Sequence, residues 1–264
     1  LGPPFPVAQC DHRACDPDAV TAAGSHTLAD RLSAMRLGVS RAGVAGAALY
    51  AVLGLGWLLL GNPPGDRFVF AIWFGALIVI ELIMPGAANQ VTLARAYLAA
   101  PAFAYATQGG GLGMLALTIA LAGLSDLVDG TVARRFDRPT QFGGGLDPVV
   151  DGIFFGAVAV GLAAGGAYPA WLAAVVVGRY ALPAAVGGLL LVLGRPPQLK
   201  HTLFGQVSTA VNAVLLGWIA LFRGLGQDAS AVVVAAEVVI PLAAAASFAH
   251  LFWANRDSVT GGDG

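Results

Sequence analysis

Eight stretches of the chain are long and mostly apolar: residues 42–61, 68–86, 92–108, 112–129, 147–167, 170–193, 203–222 and 231–254. A helix that crosses a bilayer needs about 20 such residues. Inside lipid the backbone must satisfy its own hydrogen bonds, so only helices and closed barrels can span. These stretches are continuous, without polar-apolar alternation, and therefore predict helices. The joints between them carry Gly, Pro and charge, as in "GNPPGDR", "MPGAANQ", "TQGGGLG", "AGGAYP", "GRPPQLKH" and "RGLGQD". The predicted fold is an all-α polytopic membrane protein. Only 11% of the 264 residues are charged, against about 25% in a soluble domain. That deficit excludes a soluble protein with a single anchor. A net charge of −1 supplies no global field for nucleic acid.

The basic residues predict an orientation. With eight spans and a cytoplasmic N-terminus, one side holds Arg13, Arg31, Arg36, Arg41, Arg134, Arg135, Arg138, Arg195, Lys200 and Arg256, while the other holds Arg67 and Arg223. This asymmetry fits the positive-inside rule and would vanish with an odd number of spans. Both termini are then cytoplasmic. Residues 1–24 lack a basic segment followed by an apolar core and do not read as a signal peptide. Two cysteines, Cys10 and Cys15, provide no disulfide framework, and with His12 they make a poor metal site. In "HTLADRLSAMRL", Leu28, Leu32 and Met35 share a helical face beside Arg31 and Arg36. This segment is either an interfacial amphipathic helix or a solvated linker.

The stretch "SDLVDGTVARRFDRPTQFGGGLDPVVD" places four aspartates at the ends of two apolar spans. Asp126 and Asp129 are spaced i, i+3, and Asp147 and Asp151 i, i+4, so each pair shares a helical face. Consecutive spans joined by a short loop predict antiparallel neighbours, with both pairs at one membrane level. Uncompensated, such a cluster would hold protons at neutral pH. Hard divalent cations resolve the repulsion, and Mg²⁺ commonly sits between carboxylates and substrate phosphates. Four carboxylates suit two ions. Gly130 and Ala133 leave room beside the acids, and Arg134 can pair with phosphate oxygens. Gly143, Gly144 and Gly145 form either an ordinary turn or a close approach to a ligand.

The pattern Asp126-x2-Asp129-Gly130-x2-Ala133-Arg134-x8-Gly143-x3-Asp147-x3-Asp151 resembles, at every fixed position, the signature of the CDP-alcohol phosphatidyltransferase family. The resemblance implies a six-helix, usually homodimeric membrane domain over residues 87–254. Residues 42–86 then form two extra helices, and 1–41 and 255–264 form cytoplasmic tails. It implies that Asp126, Asp129, Asp147 and Asp151 hold two Mg²⁺ or Mn²⁺ ions against the pyrophosphate of CDP-diacylglycerol. Gly130, Ala133 and Gly143 would admit the cytidine nucleotide, with Arg134 facing its phosphates. Asp151 would also act as general base on a hydroxyl acceptor, releasing CMP. The implied setting is a bacterial plasma membrane, with the site on the cytoplasmic side. Asn89, Thr92 and Arg95 in "NQVTLAR" resemble the start of the family's first core helix; Asn89 and Thr92 either line the nucleotide or cap the helix.

"LDPVVD" and "PAW" at 169–171 resemble the phosphatidylglycerophosphate and cardiolipin synthase branch, as do Lys200, Thr202 and Gln206 more loosely. Arg179, Arg195 and Lys200 are candidates for a phosphorylated acceptor such as glycerol 3-phosphate. Inositol phosphate, serine and phosphatidylglycerol remain open as acceptors. Gly152 departs from the branch, which usually carries Lys there. Arg179 either supplies that charge or pairs between helices. Two further readings fit less well. A prenyltransferase separates its aspartate motifs widely in sequence. A cation transporter would line a path across the bilayer, which Glu81 and Glu237 extend only weakly.

Overall fold

The computed structural model describes residues 39, 41–84, 87–136, 143–192 and 203–260. The N-terminal segment with Cys10 and Cys15, and the joints holding Arg138, Arg195 and Lys200, lie outside the described residues. Among the described residues eight α-helices follow one another: α1 (Arg41–Leu60), α2 (Arg67–Ile83), α3 (Ala87–Thr107), α4 (Leu112–Phe136), α5 (Gly143–Ala164), α6 (Ala170–Val192), α7 (Leu203–Gly224) and α8 (Ser230–Thr260). A 3₁₀ turn, Gly109–Gly111, joins α3 to α4. No strand occurs among the described residues.

Each predicted span falls on one helix, but not every helix is a self-sufficient span. Among the described residues five are long and apolar enough to cross a membrane on those grounds alone. α2 is short at 17 residues, and α3 opens on the polar run Asn89, Gln90, Thr92 and Arg95. α3 is sheltered instead: nearly all of its residues from Gln90 to Ala106 are buried or half-buried. Residues such as Leu53, Val79, Leu121, Val160, Trp171 and Leu242 are exposed, as lipid-facing side chains are. Since both the lipid and the core are apolar, these helices are greasy all round.

α3 is the hub. Its most extensive contacts are with α5 and then α4. The two aspartate-bearing helices were expected to be direct neighbours; among the described residues they meet chiefly through α3. The bundle closes through α4–α7, α7–α8, α5–α6 and α6–α8 contacts. Its core is built from fully buried Leu115, Phe154, Leu162, Leu172, Leu216 and Ile219.

A second core, around Tyr50, Phe70, Phe74, Leu93 and Tyr97, docks the α1–α2 hairpin onto α3. Aromatic polar tips pin this seam. Tyr97 Oη donates to the Tyr50 carbonyl at 2.5 Å, and Tyr50 Oη donates to the Gln90 carbonyl at 2.9 Å. Trp73 Nε1 donates to the Ala96 carbonyl at 3.1 Å, and Trp57 Nε1 to Tyr105 Oη at 2.7 Å. Gly54 permits the approach: a Cβ there would collide with Tyr97 Oη and meet the Phe74 ring at 3.2 Å.

Candidate active site

Thr92 and Arg95, one turn apart on α3, face the gap between α4 and α5. Arg95 is buried, and its guanidinium bridges three carboxylates. Nη1 lies 2.8 Å from Asp126 Oδ1 on α4 and 2.5 Å from Asp151 Oδ1 on α5. Nη2 lies 3.2 Å from Asp147 Oδ1, which also accepts from Thr92 Oγ1 at 3.1 Å. The acids descend from rim to interior. Their side chains are 60%, 37% and 14% exposed for Asp126, Asp147 and Asp151 respectively.

One guanidinium balances one of three negative charges. The remainder makes this end of the bundle attractive to cations. Carboxylate oxygens from two helices converge on a single Arg95 nitrogen, so the site already seats a positive group at its focus. An all-oxygen donor set suits Mg²⁺ or Mn²⁺. Among the described residues no three acid, thiol or imidazole groups close into an ion cage. The side chain of the fourth aspartate, Asp129, is outside that set.

The helices also correct the reading of the joining loop. α4 continues to Phe136, well past the expected end of its span, and α5 begins at Gly143. Gly143, Gly144 and Gly145 are therefore the first turn of a helix and not a free turn. Ala133, Arg134 and Arg135 are strong helix formers, which suits this continuation of the helix. Asp129, Gly130, Ala133 and Arg134 lie on the last two turns of α4, at the same end as Asp126; their side-chain surroundings are not among the described features. Asn89 lies in the first turn of α3 and is half-buried.

Arg179, on α6, is buried and tied to α7. Its Nη2 donates to the Gly205 carbonyl at 3.0 Å and to Thr209 Oγ1 at 3.1 Å. The guanidinium also stacks 4.5 Å from the Tyr180 ring. It is thus paired between helices, within electrostatic range of Asp151. Gly152 has a packing reason: a Cβ there would stand 2.8 Å from Tyr180 Cβ. A lysine at this position has no room in the present packing. Arg95 was legible only as part of "NQVTLAR"; a lone arginine in an apolar span, one turn from a threonine, was the available signal.

The sequence matches the CDP-alcohol phosphatidyltransferase family over residues 86–248, more than half of the chain. The chain belongs to that family. Among curated relatives, it is 35% identical to "Cardiolipin synthase (CMP-forming)" of Streptomyces coelicolor, over 41% of this chain and 54% of the relative. It is 29% identical to "Probable cardiolipin synthase (CMP-forming)" of Drosophila melanogaster, over 49% of this chain and 45% of the relative. It is 31% identical to the Escherichia coli "CDP-diacylglycerol--glycerol-3-phosphate 3-phosphatidyltransferase", over 39% of this chain and 58% of the relative. The match thus spans about half the length of these relatives. The family match begins at α3 and takes in the acidic site; α1 and α2 precede it.

Proposed function

We propose that this chain transfers a phosphatidyl group from CDP-diacylglycerol to an alcohol, releasing CMP. The observation that carries the reading is the convergence of Asp126, Asp147 and Asp151 on one cationic focus at the bundle rim, inside the region matched to the family. Asp126, Asp129, Asp147 and Asp151 would hold two divalent cations, whose charge would offset that of the pyrophosphate and of the departing phosphate.

The chain's own residues do the rest. Thr92 and Arg95 hold Asp147 and Asp151 in place and limit their mutual repulsion. Asp151, the deepest acid, takes the proton of the acceptor hydroxyl. The oxygen so freed bonds to the lipid-side phosphorus, and the bond from that phosphorus to the bridging oxygen breaks. CMP leaves with the bridging oxygen. Gly130, Ala133 and Gly143 leave space for the nucleotide, and Arg134 and Asn89 flank it. Arg179 receives a phosphate on the acceptor, with Arg195 and Lys200 drawing it toward the rim. Glycerol 3-phosphate is the leading acceptor, since a relative's name includes it and Arg179 offers a buried positive charge. The enzyme works as a homodimer with its site on the cytoplasmic face of a bacterial plasma membrane.

The test is CMP release by the purified chain from CDP-diacylglycerol with Mg²⁺ or Mn²⁺ and a panel of alcohols. Acceptor-dependent CMP supports the reading, and none with any alcohol sinks it. Chelation with EDTA is expected to stop turnover and re-addition of the ion to restore it. Asp129→Asn is expected to abolish CMP release; wild-type activity in that variant would discredit the ligand set.

A further inference from the structure

Beside Asp151 lies a polar layer of which the proposed reaction so far uses only Arg179. On α7, Gly205, Ser208, Thr209 and Asn212 recur at helical spacing on one face. Arg179 and Tyr180 meet that face from α6: Tyr180 Oη is 3.4 Å from Thr209 Oγ1, and Arg179 Nη2 is 3.1 Å from the same oxygen. Asn212 is fully buried and Ser208 nearly so. Yet Ser208 Oγ, both polar atoms of the Asn212 amide, and Nε and Nη1 of Arg179 have no hydrogen-bond partner among the described residues. Asn212 stands beside the Tyr180 hydroxyl. One turn deeper the same face becomes apolar, at Leu216, Ile219 and Ala220, all fully buried.

Burying a whole amide, a hydroxyl and two guanidinium N–H groups unpaired opposes folding. Leucine at position 212 would fill a similar volume without that penalty. Polar groups left unpaired in a membrane bundle point to a ligand. The donors and acceptors define its chemistry. Two guanidinium N–H groups suit an oxyanion. An amide and a hydroxyl, each donor and acceptor, suit alcohol groups. A polar layer with an apolar floor suits the end of a small molecule and not an acyl chain.

We propose that Asn212 and Ser208 are specificity residues that read the polar end of the acceptor, and that this acceptor is a small, hydroxyl-bearing phosphate ester and not a second diacyl lipid. The inference rests on the phosphatidyl-transfer reading and adds to it the residues that choose the alcohol. Arg179 and Tyr180 bring the layer within electrostatic range of Asp151, so an acceptor seated there would present a hydroxyl toward the proposed base.

The test uses the full chain in phosphatidylcholine vesicles containing CDP-diacylglycerol and Mg²⁺, titrated with sn-glycerol 3-phosphate, myo-inositol 1-phosphate or phosphatidylglycerol. In Asn212→Leu the KM for the small ester is expected to rise roughly tenfold, the effect of one lost hydrogen bond. The KM for CDP-diacylglycerol should stay unchanged. Ser208→Ala should produce a smaller rise of the same kind. The small ester should also raise the thermal midpoint of the wild type but not of Asn212→Leu, a readout independent of turnover. An unchanged acceptor KM in Asn212→Leu would assign the layer to bound water and overturn the proposal. So would equal rises in both KM values, or CMP release with phosphatidylglycerol alone. Absence of CMP release by the wild type with every alcohol tested overturns the phosphatidyl-transfer reading itself, a result distinct from any of these.

Discussion

Arg95 does two jobs that pull against each other. It compensates three acids, and it stands where the proposed cations would sit. Replacing it with methionine would leave Asp147 and Asp151 facing each other unbalanced. Removing one partner from a buried ion pair costs about 3–5 kcal/mol; exposure of Asp126 and Asp147 to solvent lowers the expected loss here to about 2–3 kcal/mol. Arg95→Met is therefore expected to unfold at lower temperature in EDTA and to recover part of that loss when Mg²⁺ is added. The wild type should gain less from Mg²⁺ in the same thermal scan. A variant equally stable with and without the ion would refute this account of the charge balance. Gly152→Lys makes a second residue-scale prediction. If lysine supplied a missing acceptor charge, the variant would bind a phosphorylated acceptor better. The contact with Tyr180 Cβ says otherwise: overpacking should cost about 1–3 kcal/mol. Lower thermal stability with no fall in acceptor KM is the expected result. The approach of Asp147 and Asp151 to each other was legible from the sequence because helical spacing alone puts them on one face. The partners of Arg95 were not, because Asp147 is 52 positions away, and a pairing that distant leaves no local periodicity to read.

At the scale of elements, the α1–α2 hairpin lies outside the family match but touches the helix that organises the site. Tyr50 bonds the backbone of Gln90, two positions before Thr92 and five before Arg95 on the same helix. Tyr97 returns the link to α1 through the Tyr50 carbonyl. The hairpin thus braces the turn of α3 that holds the acids. Tyr50→Phe removes one hydrogen bond and is expected to cost about 1 kcal/mol. Gly54→Leu should cost more, about 2–3 kcal/mol, because Tyr97 and Phe74 would have to move. If bracing is the hairpin's role, activity and thermal stability should fall together in Gly54→Leu, with little change in either KM. Full activity in that variant would make the hairpin an independent unit. Span positions were readable from apolar run length, which is what a bilayer selects. Which helices touch was not. The separation of α4 and α5 by α3 depends on packing between segments that the chain order does not place side by side.

At the scale of the whole molecule, the prediction is an orientation. Even-numbered spans would put the N-terminal tail, the C-terminus, and the Asp126–Asp151 rim on one face of the membrane. The basic residues then concentrate on that face, leaving Arg67 and Arg223 opposite. The chain is conveniently labelled for the test, because its two cysteines, Cys10 and Cys15, both lie in the tail. A membrane-impermeant maleimide should modify them in inverted vesicles and leave them unmodified in intact cells. In a chain with both cysteines replaced by serine, Arg223→Cys should give the reverse pattern, since Arg223 closes α7 at the other end. This second arm guards against tail thiols that are merely inaccessible. Labelling of Cys10 and Cys15 from outside intact cells would invert the orientation. It would also move the acidic rim away from the compartment that supplies CDP-linked donors and phosphorylated alcohols, so the proposed reaction and the proposed topology stand together on this measurement.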